Sequence, residues 1–287
     1  MDELPQQVNI PRPETALVTP RPDRRTGARR FTAAGGACAE RQQEGERLSP
    51  RHVPMILMYH AVAAVPQDPN QLCVAPTRFA EQMAWFERHR LRGVGVGTLV
   101  DAMRAGRARG LVGITFDDGY ASVLEAALPE LQRRGFGATV FVISGLLGGA
   151  NDWDEGPSWP LLSEGEVGEL AAAGIEIGSH GTTHVPLAGA SGEQLATEVV
   201  ASRVTIGALV GAEVRGFAYP YGSMDAAARR AVGDAGYDYA CAVDAPMAQL
   251  GLMALPRIYI GQQDGAARMA VKRLLYKGYI AAGGRRR

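Results

Sequence analysis

Short apolar runs alternate with segments of helical spacing along most of this chain. Val53 to Met58 reads as a strand that delivers Tyr59 and His60 at its carboxyl end. Thr77 then caps a helix with Phe79, Met83 and Phe86 on one face. Leu111 to Phe116 is short, partly β-branched and almost wholly apolar, the pattern of a strand buried on both faces. A helix from about Ala121 to Arg134, stopped by Gly135, leads to a strand over Ala138 to Ile143. Ser163 and Glu166 form a capping box for a helix ending near Gly174, and Ile175 to Ser179 alternates like a strand. Ser191 and Gln194 open a longer helix to about Val210. Strands at Arg215 to Tyr219, Tyr239 to Val243 and Leu255 to Ile260 follow, with helices at Asp225 to Ala235 and around Ala267 to Tyr276. Gly145 to Leu162 is irregular and contains Trp153 and Trp159, which suits a wall of a binding site.

Repeated strand–helix units with short connections predict an α/β fold of parallel strands, either an open sheet or a barrel. Polar residues collect at strand carboxyl ends: Tyr59-His60, Asp117-Asp118, Ser179-His180 and Tyr219-Pro220-Tyr221. Contributions from so many strands favour a barrel, whose site gathers side chains from several strand ends. Residues 1–51 lack either periodicity and are rich in Pro, Arg, Gln, Glu and Gly, so a disordered leader is expected before a domain over residues 52–287.

Charge narrows the partners. Thirty basic and thirty acidic residues balance, which offers no overall field for nucleic acid or an anionic surface. The three cysteines, Cys38, Cys73 and Cys241, are widely spaced and argue against a disulfide framework. The chain has no apolar stretch of membrane-crossing length, and its first residues lack the apolar core of a secretory signal. A cytoplasmic protein without a transmembrane segment, and with no protein partner implied, is the expectation.

Two features carry chemistry. Asp117 and Asp118 end an apolar strand. Unpaired buried carboxylates are costly, so the pair belongs at the strand's open end, where neighbouring side chains point different ways. Asp-Asp-Gly is equally the composition of a polar turn. His180 and His184 are two of only five histidines and stand four residues apart, a spacing that puts both imidazoles on one side of a helical turn or tight loop. Two histidines and a carboxylate with open positions make a catalytic metal site, and Asp118 is the third ligand at hand.

Thr115-Phe116-Asp117-Asp118-Gly119-Tyr120, Ser179-His180 through His184, and Phe217 to Gly222 together resemble the polysaccharide deacetylase family, the NodB-homology domain of carbohydrate esterase family 4. The likeness runs from about Val53 to Ile260, and Tyr219-Pro220-Tyr221-Gly222 resembles the subgroup that includes poly-N-acetylglucosamine deacetylases. It implies a distorted (β/α) barrel that removes acetyl groups from N-acetylated amino sugars, with one divalent metal ion, Zn²⁺ first and Co²⁺ or Ni²⁺ as options. Position by position, it implies Asp117 as general base, Asp118, His180 and His184 as metal ligands, and the backbone N–H of Tyr221 as an oxyanion donor. Tyr59, Trp153, Pro220 and Tyr221 are the expected sugar contacts, and His60 is a candidate proton donor.

The chain departs from the family pattern twice. Ala218 stands where an arginine usually orients the base, and Leu255-Pro256-Arg257 stands where a histidine usually follows a leucine. One expectation is that Arg257 reaches across to Asp117 and replaces the missing arginine; the other is a surface charge at a strand end. The departures also admit a catalytically inactive carbohydrate-binding protein, against which the intact Asp117, Asp118, His180 and His184 argue.

Overall fold

Runs of four to six apolar residues become parallel strands here, and the amphipathic segments between them become covering helices. The computed structural model describes residues 53–153, 156–243 and 251–283, and the leader expected over residues 1–51 lies outside them. The described elements are β1 (Ile56–Tyr59), α1 (Pro76–Arg88), β2 (Arg92–Val94), α2 (Val96–Arg104), β3 (Leu111–Phe116), a π-helical turn (Val123–Ala127) continued by α3 (Leu128–Arg133), β4 (Thr139–Val142), α4 (Glu164–Ala172), β5 (Glu176–Ser179), α5 (Gly192–Leu195), a second π-helical segment (Ala196–Ala201), α6 (Ser202–Val210), β6 (Gly216–Ala218), α7 (Ala226–Asp234), β7 (Tyr239–Ala242), β8 (Leu255–Pro256), β9 (Ile258–Tyr259) and α8 (Ala266–Gly283).

The strand order is β8-β7-β6-β5-β4-β3-β1-β9, with β2 also on β3, and the pairings are parallel throughout. The last strand differs from expectation in an informative way. It is two short pieces: β8 pairs with β7, and β9 pairs with β1. A single residue, Arg257, separates them. One segment thus bonds to both ends of the sheet and closes it into the expected distorted (β/α) barrel.

Side chains alternate across the barrel wall. Leu57, Tyr59, Ile114, Phe116, Val140, Val142 and Phe217 join the layer beneath the helices. Ile56, Phe141, Ala218, Tyr239, Cys241 and Leu255 form an interior cluster with Val96, Leu99 and Val100, so α2 plugs the barrel's lower end. The lumen is narrow, and glycines make room for large neighbours. A Cβ on Gly178 would lie 2.4 Å from the Phe141 ring and 3.1 Å from the Gly216 carbonyl. Gly178→Ala is therefore expected to lower unfolding stability by about 1–3 kcal/mol, read as a lower midpoint in chemical denaturation.

Two elements escape the periodic reading. β2 is three residues long, too short to show alternation, and α2 opens on β-branched residues and glycine. The cap of α1 also differs: Ala75 is the N-cap and Pro76 takes the first helical position, which suits its fixed φ and missing N–H, so Thr77 lies inside the helix. The capping boxes at Ser163 and Ser191 are both present.

Candidate active site

The two aspartates leave β3 in different directions because of what the backbone does there. Asp117 N–H still donates to the Tyr59 carbonyl, 2.9 Å, so Asp117 is held as the next ladder residue after the strand. Asp118 (φ 68°) and Gly119 (φ 74°) then both take left-handed conformations and turn the chain away. Non-glycine residues avoid that region, and residues that adopt it concentrate where surrounding structure imposes it for function. Of the five such residues among those described, three are Asp118, His184 and Tyr221.

Asp117 meets Arg257. The guanidinium donates from Nη1 to Oδ1 at 2.5 Å and from Nη2 to Oδ2 at 2.7 Å, a two-pronged pair, while Nη1 also reaches Thr115 Oγ1 at 3.1 Å. Both side chains are almost fully buried, and the guanidinium lies over the Phe141 ring. Burial pushes the Asp117 carboxyl up. The charges of Arg257 and His180, with the Arg257 hydrogen bonds, outweigh burial and leave it below its ordinary value. The pairing expected from the Ala218 departure is present. Arg257 reaches the carboxylate because the barrel seam turns it inward.

Asp118 faces the histidines instead. His180 Nε2 and His184 Nε2 each lie 3.3 Å from Asp118 Oδ1, and all three residues are buried. One ligand atom from each falls within 4.8 Å of the others. His180 Nδ1 donates to the Ala218 carbonyl at 2.8 Å, so that in the neutral imidazole Nε2 carries the lone pair. Burial raises the Asp118 pKa, but hydrogen bonds from protonated His180 and His184, together with the charges of His60 and His180, outweigh it and hold the carboxyl well below the usual carboxylate range. An anionic oxygen and two imidazole nitrogens converging on one point, one imidazole braced through its other nitrogen, fit a divalent first-row ion.

Around this cluster, His60, Met58, Leu72, Tyr219, Tyr221, Gly222 and Val243 join Asp117, Asp118, His180 and His184 in lining a cavity of about 230 Å³. The His184 ring sits between Trp153 (centroids 4.5 Å apart) and Tyr221 (4.6 Å). Tyr221 is exposed at the rim of the site, and Trp153 packs partly buried beside Tyr120 and Leu161. His60 Nδ1 is buried without a hydrogen-bond partner. The 180–184 segment is a loop, not a helical turn.

Three of the four expected sugar contacts do not line the cavity: Trp153 packs against the His184 ring beside it, and Tyr59 and Pro220 are buried elsewhere. Tyr59 is fully buried against Phe79 and Phe116, because strand alternation turns Met58 and His60 inward and Tyr59 outward. Pro220 is buried and does not line the cavity; it occupies the first position of a short 3₁₀ turn that sets up the left-handed Tyr221. Sequence reasoning also missed Glu198, a buried carboxylate on the second π segment that contacts the histidine loop. The only trace of it in sequence is an acidic residue on the apolar side of an otherwise ordinary helix.

The barrel's strand ends thus bring one arginine-paired and one histidine-facing carboxylate to a common cavity, and Asp118, His180 and His184 could hold a metal ion there. A sequence model of the family described as polysaccharide deacetylase matches residues 105–240. YxkH of Bacillus subtilis (strain 168), which carries a polysaccharide deacetylase name, is 26% identical over 209 residues, 71% of this chain and 70% of its own. The Streptococcus pyogenes deacetylase PplD, solved with acetate, superposes with a TM-score of 0.67 at 22% identity, covering 76% of this chain and 97% of its own. The de-N-acetylase from Aggregatibacter actinomycetemcomitans gives 0.64 at 18% identity, over 76% of this chain and 98% of its own. These two likenesses bear out the barrel fold. Over residues 105–240 the chain is similar to the polysaccharide deacetylase family, and the relatives it matches carry deacetylase names. Among the described residues, no helix is long and apolar enough to cross a membrane.

Proposed function

We propose that this protein removes the acetyl group from an N-acetylated amino sugar, free, oligomeric or conjugated, with a divalent metal ion held by Asp118, His180 and His184. The observation that supports this best is the division of labour between adjacent aspartates. Asp118 faces two imidazoles and Asp117 a guanidinium, yet both line one cavity. A bound ion, Zn²⁺ first and Co²⁺ or Ni²⁺ next, supplies the Lewis acid that acidifies a water and polarises an acetyl carbonyl.

The chain's own residues supply the rest. Asp117, kept ionised and in one rotamer by Arg257, is the base that takes the proton of the attacking water. The Tyr221 backbone N–H is the donor proposed for the oxyanion, and its left-handed backbone orients that peptide. Arg257 stays protonated, so it cannot return a proton to the departing amine. Asp117, once protonated, and His60, which lines the same cavity, are the groups placed to do so. Trp153 and Tyr221 offer apolar faces to a sugar ring beside His184.

The test is acetate release from N-acetylglucosamine oligomers with added Zn²⁺ or Co²⁺. Release should vanish on chelation and return when the ion is restored. A protein that binds the sugar yet releases no acetate with any of these ions would instead support the inactive, carbohydrate-binding reading. A mass-spectrometric screen of acetylated sugars then identifies the substrate.

A further inference from the structure

The loop that carries both histidines does not hold its shape alone. It starts from Gly181 (φ 85°) and ends on His184 (φ 61°), the latter a conformation that costs a non-glycine residue about 1–3 kcal/mol unless its surroundings impose it. The constraint comes from Glu198. Its carboxylate accepts from Thr182 N–H at 2.7 Å, Thr183 N–H at 3.0 Å and Thr183 Oγ1 at 2.5 Å, and Glu198 is buried. Those three hydrogen bonds all come from the two threonines preceding His184. Burying a carboxylate is unfavourable unless donors replace its water, and here the loop provides them. The approach is close enough to require glycine at 181, where a Cβ would lie 2.7 Å from Glu198 Oε2.

Glu198 is itself held from below. It sits on the π-helical segment Ala196–Ala201, where an extra residue in the turn re-aims side chains relative to a regular helix. Thr182 Oγ1 donates to the Thr197 carbonyl at 2.7 Å, and Ser202 Oγ donates to the Glu198 carbonyl at 2.6 Å. Ser179 Oγ, at the end of β5, donates to Ser202 Oγ at 2.8 Å, and Tyr237 OH donates to the Val199 carbonyl at 3.0 Å. The π segment is thereby tied to the strand that delivers His180 and to the approach of β7.

We infer that Glu198 is a positioning residue of the metal site, fixing the 181–183 backbone so that His180 and His184 present Nε2 to the same point as Asp118. This inference rests on the metal-site reading above. It predicts an effect on the metal itself, independent of turnover. Residues in this outer position typically contribute about 10–100-fold to metal affinity.

The experiment is titration of the metal-free full-length protein with Co²⁺, followed by its d–d absorption, alongside cooperative unfolding of the metal-free form. Glu198→Ala should weaken Co²⁺ binding by about 10–100-fold and alter the absorption bands while the metal-free protein still unfolds cooperatively. Gly181→Ala, which strikes the same contact from the loop side, should act in the same direction. Should Glu198→Ala not fold, Glu198→Gln and Thr183→Val, each weakening part of the cradle, should still lower Co²⁺ affinity several-fold. A folded Glu198→Ala, or in its place a folded Glu198→Gln and Thr183→Val, with wild-type affinity and spectrum would overturn the inference. Wild-type protein that takes up no Co²⁺ would overturn the metal-site reading and this inference together.

Discussion

Asp117→Asn should cut acetate release by about 10²–10⁴-fold, the usual contribution of a positioned general base, while Co²⁺ still binds at Asp118, His180 and His184. The contrast follows from where the two neighbours point. Asp118 Oδ1 lies 3.3 Å from both imidazole nitrogens, whereas both oxygens of Asp117 are engaged by Arg257. Asparagine preserves the size of the side chain and removes its basicity. It also sets an amide NH₂ against a guanidinium that has only donors to offer, so some loss of stability is expected as well. Measuring Co²⁺ binding by absorption and turnover by acetate release separates the two effects. A variant that kept more than about a tenth of wild-type turnover, far above the range for a lost base, would remove Asp117 from the role of base. One that lost the metal would show that the aspartates share a single function.

Arg257→Met should be the most destabilising single change at the site, by about 3–5 kcal/mol, because it strands a buried carboxylate without its cation. Asp117 and Arg257 side chains are 4% and 0% exposed, so water cannot take the place of the guanidinium. Turnover should fall in parallel, since the base loses both its orientation and the charge that keeps it ionised. Arg257→Lys separates these contributions. It keeps a positive charge but gives up the planar fork that meets both oxygens of Asp117 and Thr115 Oγ1. The lysine protein should therefore recover much of the lost stability and little of the lost turnover, as read by denaturant unfolding and by kcat. A lysine protein with undiminished kcat would show that the fork has no part in the chemistry.

Much of the site was legible because strand ends repeat a simple grammar. An apolar run that stops at paired carboxylates, and another that stops at a histidine with a second four residues on, place four side chains without any knowledge of tertiary contacts. Arg257 could be paired with Asp117 because Ala218 left a vacancy for a cation. Its means of arrival was hidden: the strand expected as one piece over Leu255 to Ile260 is broken at Arg257, and only pairing with β7 and β1 together reveals why. Tyr59 was misassigned because its position at a strand end was noted but not its parity along the strand. Glu198 and the left-handed Asp118, His184 and Tyr221 were out of reach for a different reason. A π turn and a positive φ on a non-glycine residue are imposed by packing, and the residue types themselves do not favour them.

The seam at Arg257 also ties chemistry to the completion of folding. Among the described residues, β8 and β9 are the last strands and alone join β7 to β1. A ribosome-bound or proteolysed chain ending before Leu255 would already contain Asp117, Asp118, His180 and His184, but its first and last strands would stay unjoined and its base unsteadied. The Arg257–Asp117 pair would form only when the final segment joins both ends of the sheet.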